Sequence, residues 1–252
     1  MKYEHQLRKL SSEERKNLSS EEIFHSAEFS SYLQKMGETL LRHCGITKRL
    51  SLTILPTGIA PGWTDGKKEY LVPENTITEA YNDIYAKFTA LLGIHFHEIA
   101  HIIYCDFAEE QKAIDKIKAG EFYGELPVPK TQAEVDALTE MKDALQNSAY
   151  RPLFQQIFND VTNTIDDPHD EGKIIDEFGG IVEKGIATSR EALFRSFDYA
   201  ENILANDKAT KLQKLYALML EFARFEDVFA RDLEQCVCDN DIMKMVIDMA
   251  KP

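Results

Sequence analysis

Apolar residues recur every three or four positions along most of this chain, and one stretch departs from that rhythm. Phe24, Leu33, Met36, Leu40 and Leu41 keep roughly helical spacing. Ser19-Ser20-Glu21-Glu22 ahead of them has the form of a helix start, with a hydroxyl cap and acids in the first turn. Residues 1 to 45 are therefore predicted helical, with Gly45 as the stop. From Arg49 the texture changes. Leu50, Leu52, Ile54 and Leu55 form a short strand-like run closed by Pro56. Tyr70, Leu71 and Val72 form a returning strand after Asp65-Gly66, a pair that tolerates the positive φ of a hairpin turn. This region predicts a small sheet of two to four short strands.

From Thr78 the helical rhythm returns. Residues 78 to 119 carry Ile84, Phe88, Leu91, Leu92, Ile99, Ile102 and Ile103 with no proline, which predicts helix throughout. GEFYGELPVPKT, residues 120 to 131, is marked as a loop by its glycines and prolines. Helix is predicted again from Thr131 to about Asp166, with a break near Arg151-Pro152. Asp167-Pro168 either starts a new segment or kinks the old one, and the glycines between Glu177 and Gly185 predict a turn. Residues 188 to 250 read as two or three amphipathic helices. The fold class is α+β, mostly α. The expected division is a helical segment over 1–48, a core over 49–185 and C-terminal helices over 186–252 packed on it, or all of these as one domain.

Composition bounds the class without naming a chemistry. A chain of 252 residues can bury a sizeable core. Its 44% hydrophobic and 10% aromatic content is ordinary for a folded protein. The net charge of −14, with acids and bases interleaved, argues against nucleic acid or an anionic membrane as the main partner. MKYEHQLRKLSSEERKN has no apolar signal region and no run reaches the length of a membrane span, so the expected compartment is the cytoplasm. Cys44, Cys105, Cys236 and Cys238 are then expected as free thiols. Cys236-Val-Cys238 has no second Cys/His pair nearby that would make it a metal site.

The chemistry sits at His97-Glu98-Ile99-Ala100-His101. Two histidines four apart on a helix lie about 40° apart around its axis, so both rings can reach one ion. Glu98, beside the first, is placed to take a proton from water, and a zinc ion would acidify that water. The apolar flanks LLGIHF and IIYCDF put the motif in a buried helix. The ordinary alternative is a helix whose histidines are satisfied by side-chain hydrogen bonds. His95 points roughly 200° away from His97 and reads as a core residue or a support, not a ligand.

A catalytic zinc usually takes three protein ligands. No short downstream pattern supplies the third, so it is expected from a second helix. Asn163-Thr-Ile-Asp166-Asp167-Pro168-His169-Asp170-Glu171 is the dense polar cluster that follows. Asp166 and Asp170 are four apart, as are Asn163 and Asp167, and Asp167 and Glu171, so each pair sets a ligand and a supporting group on one face. Asp166 and Asp167 are the candidate ligands, with His169 a weaker one. Asn163 and Glu171 are the candidate supports for Asp167. Asp167-Pro168 also has the form of a helix cap with proline in the first turn, in which case the aspartate serves backbone N–H groups instead.

HEIAHIIYCDF followed by NTIDDPHDE resembles the zincin-like domain in which an HExxH helix precedes an Asn-x-x-Glu-Asp-x-x-x-Glu segment. Such domains occur in phage and mobile-element proteins and often precede a von Willebrand A-type domain, as in cobalt chelatase-like proteins. GWTDGKKEYLVPEN resembles the strand pair before that helix. The likeness covers roughly residues 60 to 172. It implies a zincin-like fold, with a small twisted sheet over the motif helix and the second ligand helix antiparallel beneath. It implies a von Willebrand A-type domain, in the same or another chain, as a partner. Asp167 matches the family's Asp, whereas Asp166 stands where the family has glutamate. No Asp-x-Ser-x-Ser sequence is present, so a complete A-type domain is not expected here.

The expected function is that of a zinc-dependent metallopeptidase. Zn²⁺ is held by His97, His101 and Asp166 or Asp167, Glu98 is the general base, and a protein or peptide is the substrate. The strand Glu69 to Val72 is expected to offer an edge to an extended peptide. An oxyanion stabiliser is also required, and the tyrosines supply many candidates. The alternatives are an intracellular zinc-binding regulatory or interaction module of the same fold without general protease activity, and a purely structural helical protein.

Overall fold

A computed structural model describes residues 19–58, 60–196, 202–203 and 205–224. The helical expectations for residues 1–18 and 225–250, and Cys236 and Cys238, lie outside the described residues. The described residues are mostly helical with one small sheet: α1 (Ser20–Phe24), α2 (Ala27–His43), β1 (Ser51–Ile54), β2 (Gly62–Thr64), β3 (Lys68–Leu71), α3 (Thr76–Glu79), α4 (Ile84–Tyr104), α5 (Phe107–Ala119), α6 (Gln132–Gln146), α7 (Arg151–Phe178), α8 (Gly180–Ser196) and α9 (Lys211–Arg224). The expected mostly-α α+β class is thereby met.

The predicted turn forms at Asp65-Gly66. Asp65 Oδ1 accepts from the backbone N–H of Lys67 at 2.9 Å and of Lys68 at 2.8 Å, and Gly66 takes a φ of +77°. The hairpin joins β2 to β3 in antiparallel register, with Trp63 opposite Tyr70. β1 lies parallel to β3 on its other side, with Leu52 opposite Glu69. The strand order is β1-β3-β2. The strand at Glu69 to Val72 is therefore not an edge, contrary to expectation. Its backbone is paired on both sides, and β2 is the edge beside it.

The helix expected over 78–119 is three helices. Asn75 caps the short α3, and Asp83 caps α4 by accepting from Ala86 N–H at 2.9 Å. Cys105 is extended at the end of α4, and Asp106 caps α5 through Ala108 and Glu109 N–H. The local capping energy of Asp106, about 1 kcal/mol, wins where the apolar rhythm alone would continue the helix. The result is an 83° bend between α4 and α5. Among the described residues no single helix is long and apolar enough to cross a membrane. α4 is instead the centre of the core. Leu91, Leu92, Phe96, Ile99 and Ala100 are fully buried and pack with Leu33, Leu41, Leu71, Ile174 and Ile186.

Of the two alternatives at Asp167-Pro168, a new segment or a continuation of the old one, α7 takes the continuation. The helix runs unbroken from Arg151 to Phe178 with Pro168 inside it. Asp167 is not a cap, because it lies a dozen and more residues past the helix start and its neighbours on both sides are helical. The turn expected over 177–185 contracts to Gly179, at φ +53°. α8 then starts at once, so the boundary expected at 185/186 falls inside it. α8 packs along α4 and buries Val182, Ile186 and Ala192.

Two glycines make that packing close. A Cβ on Gly93 of α4 would lie 2.1 Å from the carbonyl oxygen of Gly185 and 2.6 Å from Ser189 Oγ. The obstacle is backbone, so it cannot rotate away. Gly93→Val should therefore cost about 3 kcal/mol, the upper end for an overpacked core, outweighing any gain in helix propensity over glycine. Urea unfolding measures this, and a midpoint at or above that of the wild type would show that α4 and α8 do not meet here.

Candidate metal centre

His97 and His101 lie one turn apart on α4 and turn their Nε2 atoms toward each other, 3.1 Å apart. Asp167 of α7 brings Oδ1 to 3.1 Å from His101 Nε2 and 3.8 Å from His97 Nε2. Two ligands at zinc–nitrogen distances of about 2.0–2.1 Å and a tetrahedral angle lie roughly 3.3 Å apart. The three donors thus have the spacing that one small cation requires, and His97, His101 and Asp167 form a group that could hold a metal ion. Asp167 is 7% exposed.

Each imidazole is also held from behind. His97 Nδ1 lies 2.7 Å from Glu171 Oε1, and Glu171 Oε2 accepts from Arg190 Nε of α8. His101 Nδ1 lies 3.2 Å from Asp170 Oδ2 and 3.2 Å from Cys105 Sγ. A carboxylate on Nδ1 fixes the tautomer that leaves the Nε2 lone pair for a metal. Burial works to lower the His101 pKa. Hydrogen bonds to Asp170 and Cys105, together with nearby negative groups, overcome it and push the ring up to about 10. The field that favours a cationic ring also favours a metal cation.

The inward stripe of α7 explains which polar residues take part. Thr164, Asp167, Asp170, Glu171 and Ile174 are its buried residues. Glu171 supports His97, not Asp167, and Asp170 joins the site although the sequence pairs it with Asp166. Asn163 is exposed and takes no part in these contacts, since the stripe passes through Thr164. Asp166 does not reach the paired Nε2 atoms. Adjacent residues on a helix point about 100° apart, and Asp166 falls with Cys105 and Glu110 instead. Burial raises its pKa, and the like charge of Asp170 adds to that. His169 has an exposed side chain and meets Asp170 Oδ1 at 3.0 Å, so it is no ligand to the pair.

Glu98 is 4% exposed beneath the edge strand β2. Its Oε1 would be 3.1 Å from a Cβ placed on Gly62. Burial raises its pKa, partly offset by His97 and His101. Such a carboxyl is a stronger base than one in water. His95, as expected, stands apart from the ring pair. It is fully buried, and its Nδ1 lies 2.6 Å from Oε1 of the equally buried Glu69. Tyr104 spends its hydroxyl on Glu177 at 2.8 Å.

Sequence reasoning did not single out Arg190, Glu69 or the role of Cys105. Only Cys105 carries a local signal, its spacing of four residues past His101. Comparison with protein-family models, with curated proteins and with solved structures finds no match to this chain.

Proposed function

We propose that this chain is a zinc-dependent metallopeptidase of the HExxH type, with His97, His101 and Asp167 as ligands and Glu98 as general base. The observation that carries the reading is the convergence of the His97 and His101 Nε2 atoms and Asp167 Oδ1, beside the buried carboxyl of Glu98. Two neutral imidazoles and one carboxylate are the donor set of many catalytic zinc sites, which keep a fourth position open. Zinc held there would supply a Lewis acid for water and for the scissile carbonyl. Glu98 would take the proton from the attacking water and deliver it to the leaving amine. β2, the edge strand over Glu98, has backbone groups on its outer side that can pair with an extended peptide. Gly62 would let that strand lie close to the base, because a side chain there would collide with Ile94 at 2.7 Å.

The full chain, prepared without chelator and offered zinc, should carry close to one zinc per molecule by elemental analysis. His97→Ala and His101→Ala should each lose most of it. Wild-type protein that holds no metal under these conditions overturns the reading. Cleavage of casein or a mixed peptide library, abolished by chelator and restored by zinc, tests the catalytic part. One zinc without cleavage is the result expected of an interaction module.

A further inference from the structure

We propose that Arg190 is a positioning residue for the metal centre, acting through Glu171 to fix the His97 imidazole. The inference rests on the reading of His97 as a metal ligand and extends it to a helix that the sequence pattern places outside the core. The chain of contacts is continuous. Arg190 Nε donates to Glu171 Oε2, and Glu171 Oε1 lies 2.7 Å from His97 Nδ1. The two oxygens of one carboxylate are thus divided between a cation on α8 and a ligand on α4.

The physical need for Arg190 follows from burial. Glu171 is 5% exposed, and a charge so placed is costly without a counter-ion. A ligating histidine is neutral and offers only its Nδ1–H. Arg190 supplies the full positive charge facing the carboxylate. It also restrains rotation, since Oε2 held by the guanidinium keeps Oε1 on the ring. With Glu171 free to turn, Nδ1 would lose its acceptor and the ring its orientation. His101 is braced differently. Its carboxylate partner Asp170 is met by Cys105 and His169, with no arginine or lysine among these contacts.

Arg190 can position a ligand only if α8 is itself fixed, and three contacts fix it. Gly185 packs against Gly93, one turn before His97 on the motif helix. Tyr81, just ahead of that helix, donates its hydroxyl to Thr188 C=O at 2.8 Å, two residues before Arg190. Ser189 also packs on Gly93, where an added Cβ would lie 2.6 Å from its Oγ, and its hydroxyl is spent within its own helix on Ile186 C=O at 2.9 Å. The guanidinium stem therefore starts from a rigid platform built on α4, so the loop from α4 through α8 and α7 back to His97 is closed.

A double-mutant cycle on zinc affinity tests this. The variants are Arg190→Gln, Glu171→Gln and their combination, each measured by competition with a chromophoric zinc chelator. Partners of metal-ligating histidines typically matter about 10–100-fold, so Glu171→Gln should weaken zinc binding by that factor. Arg190→Gln should weaken it about tenfold in the wild-type background and less than about twofold when Glu171 is already Gln, because contacting residues do not add. The combined variant also removes the uncompensated buried charge, so it remains informative if Arg190→Gln alone folds poorly. Arg190→Lys should recover part of the loss, as it restores charge but not the fixed Nε geometry. A merely structural Arg190 would give losses that multiply, with no dependence on residue 171, and that result overturns the proposal. Wild-type affinity in Arg190→Gln also overturns it, while the zinc reading stands. Failure of the wild type to bind zinc removes both.

Discussion

Glu98→Gln should keep zinc at the wild-type stoichiometry while hydrolysis falls by about 10²–10⁴. The amide has nearly the shape of the carboxyl, so the packing beneath β2 survives, but it has no lone pair basic enough to take a proton from water. The stability readout separates this from local unfolding. Folding raises the Glu98 pKa, chiefly through burial. A carboxyl raised in this way costs stability at pH values above its unfolded pKa, where folding opposes its ionisation, and costs nothing well below that value. Neutral Gln lacks the cost. With chelator present, the melting temperature of Glu98→Gln at neutral pH should therefore hold or rise, the sign of a residue kept for chemistry at the expense of stability. Undiminished turnover of a confirmed substrate by this variant would remove Glu98 as the base. Lost activity together with a lowered melting temperature and lost zinc would show that residue 98 is structural.

How much of this was legible in the sequence depends on distance along the chain. His97, Glu98 and His101 belong to one helix, so their spacing fixes their geometry before any tertiary contact forms. The hairpin at Asp65-Gly66 is local in the same sense. Asp167 was legible only as one of two neighbours, because the choice between Asp166 and Asp167 depends on which face of α7 meets α4, and Thr164 and Ile174 of the buried stripe decide that. Pro168 left two readings open, a new helix or a continuing one. A proline after an aspartate has the form of a helix start, yet α7 carries it internally, where tertiary packing outweighs the missing N–H. The break at Cys105-Asp106 was hidden by the opposite effect, an apolar rhythm that continues through a capped bend. Arg190 had no signal at all. A single arginine on an amphipathic helix is ordinary, and its place against Glu171 exists only because Gly93 and Gly185 let α8 lie on α4.

Asp167→Ala and Asp166→Ala should differ sharply in zinc affinity although the two residues are neighbours. Supporting residues of a metal site cost about 10–100-fold when removed, and a direct ligand should cost more, so Asp167→Ala is expected to weaken zinc by over about 100-fold. Asp167→Asn should fall between it and the wild type, since the amide oxygen keeps the position at 3.1 Å from His101 Nε2 but gives up the charge. Asp166→Ala should leave affinity within a few-fold of the wild type. Its carboxylate faces Cys105 and Glu110 and adds only long-range attraction. Its effect on stability has a definite sign as well. Burial and the neighbouring Asp170 raise the Asp166 pKa, so its ionisation works against folding above the unfolded value, and alanine relieves that. A cap would behave oppositely, losing about 1 kcal/mol on truncation. Melting temperatures with chelator present therefore distinguish the two roles independently of metal: Asp166→Ala at or above the wild type fits a crowded acid within a continuous helix. Zinc affinity within threefold of the wild type in Asp167→Ala, or lost in Asp166→Ala, would move the third ligand away from Asp167 and with it the contact between α4 and α7 on which the centre is built.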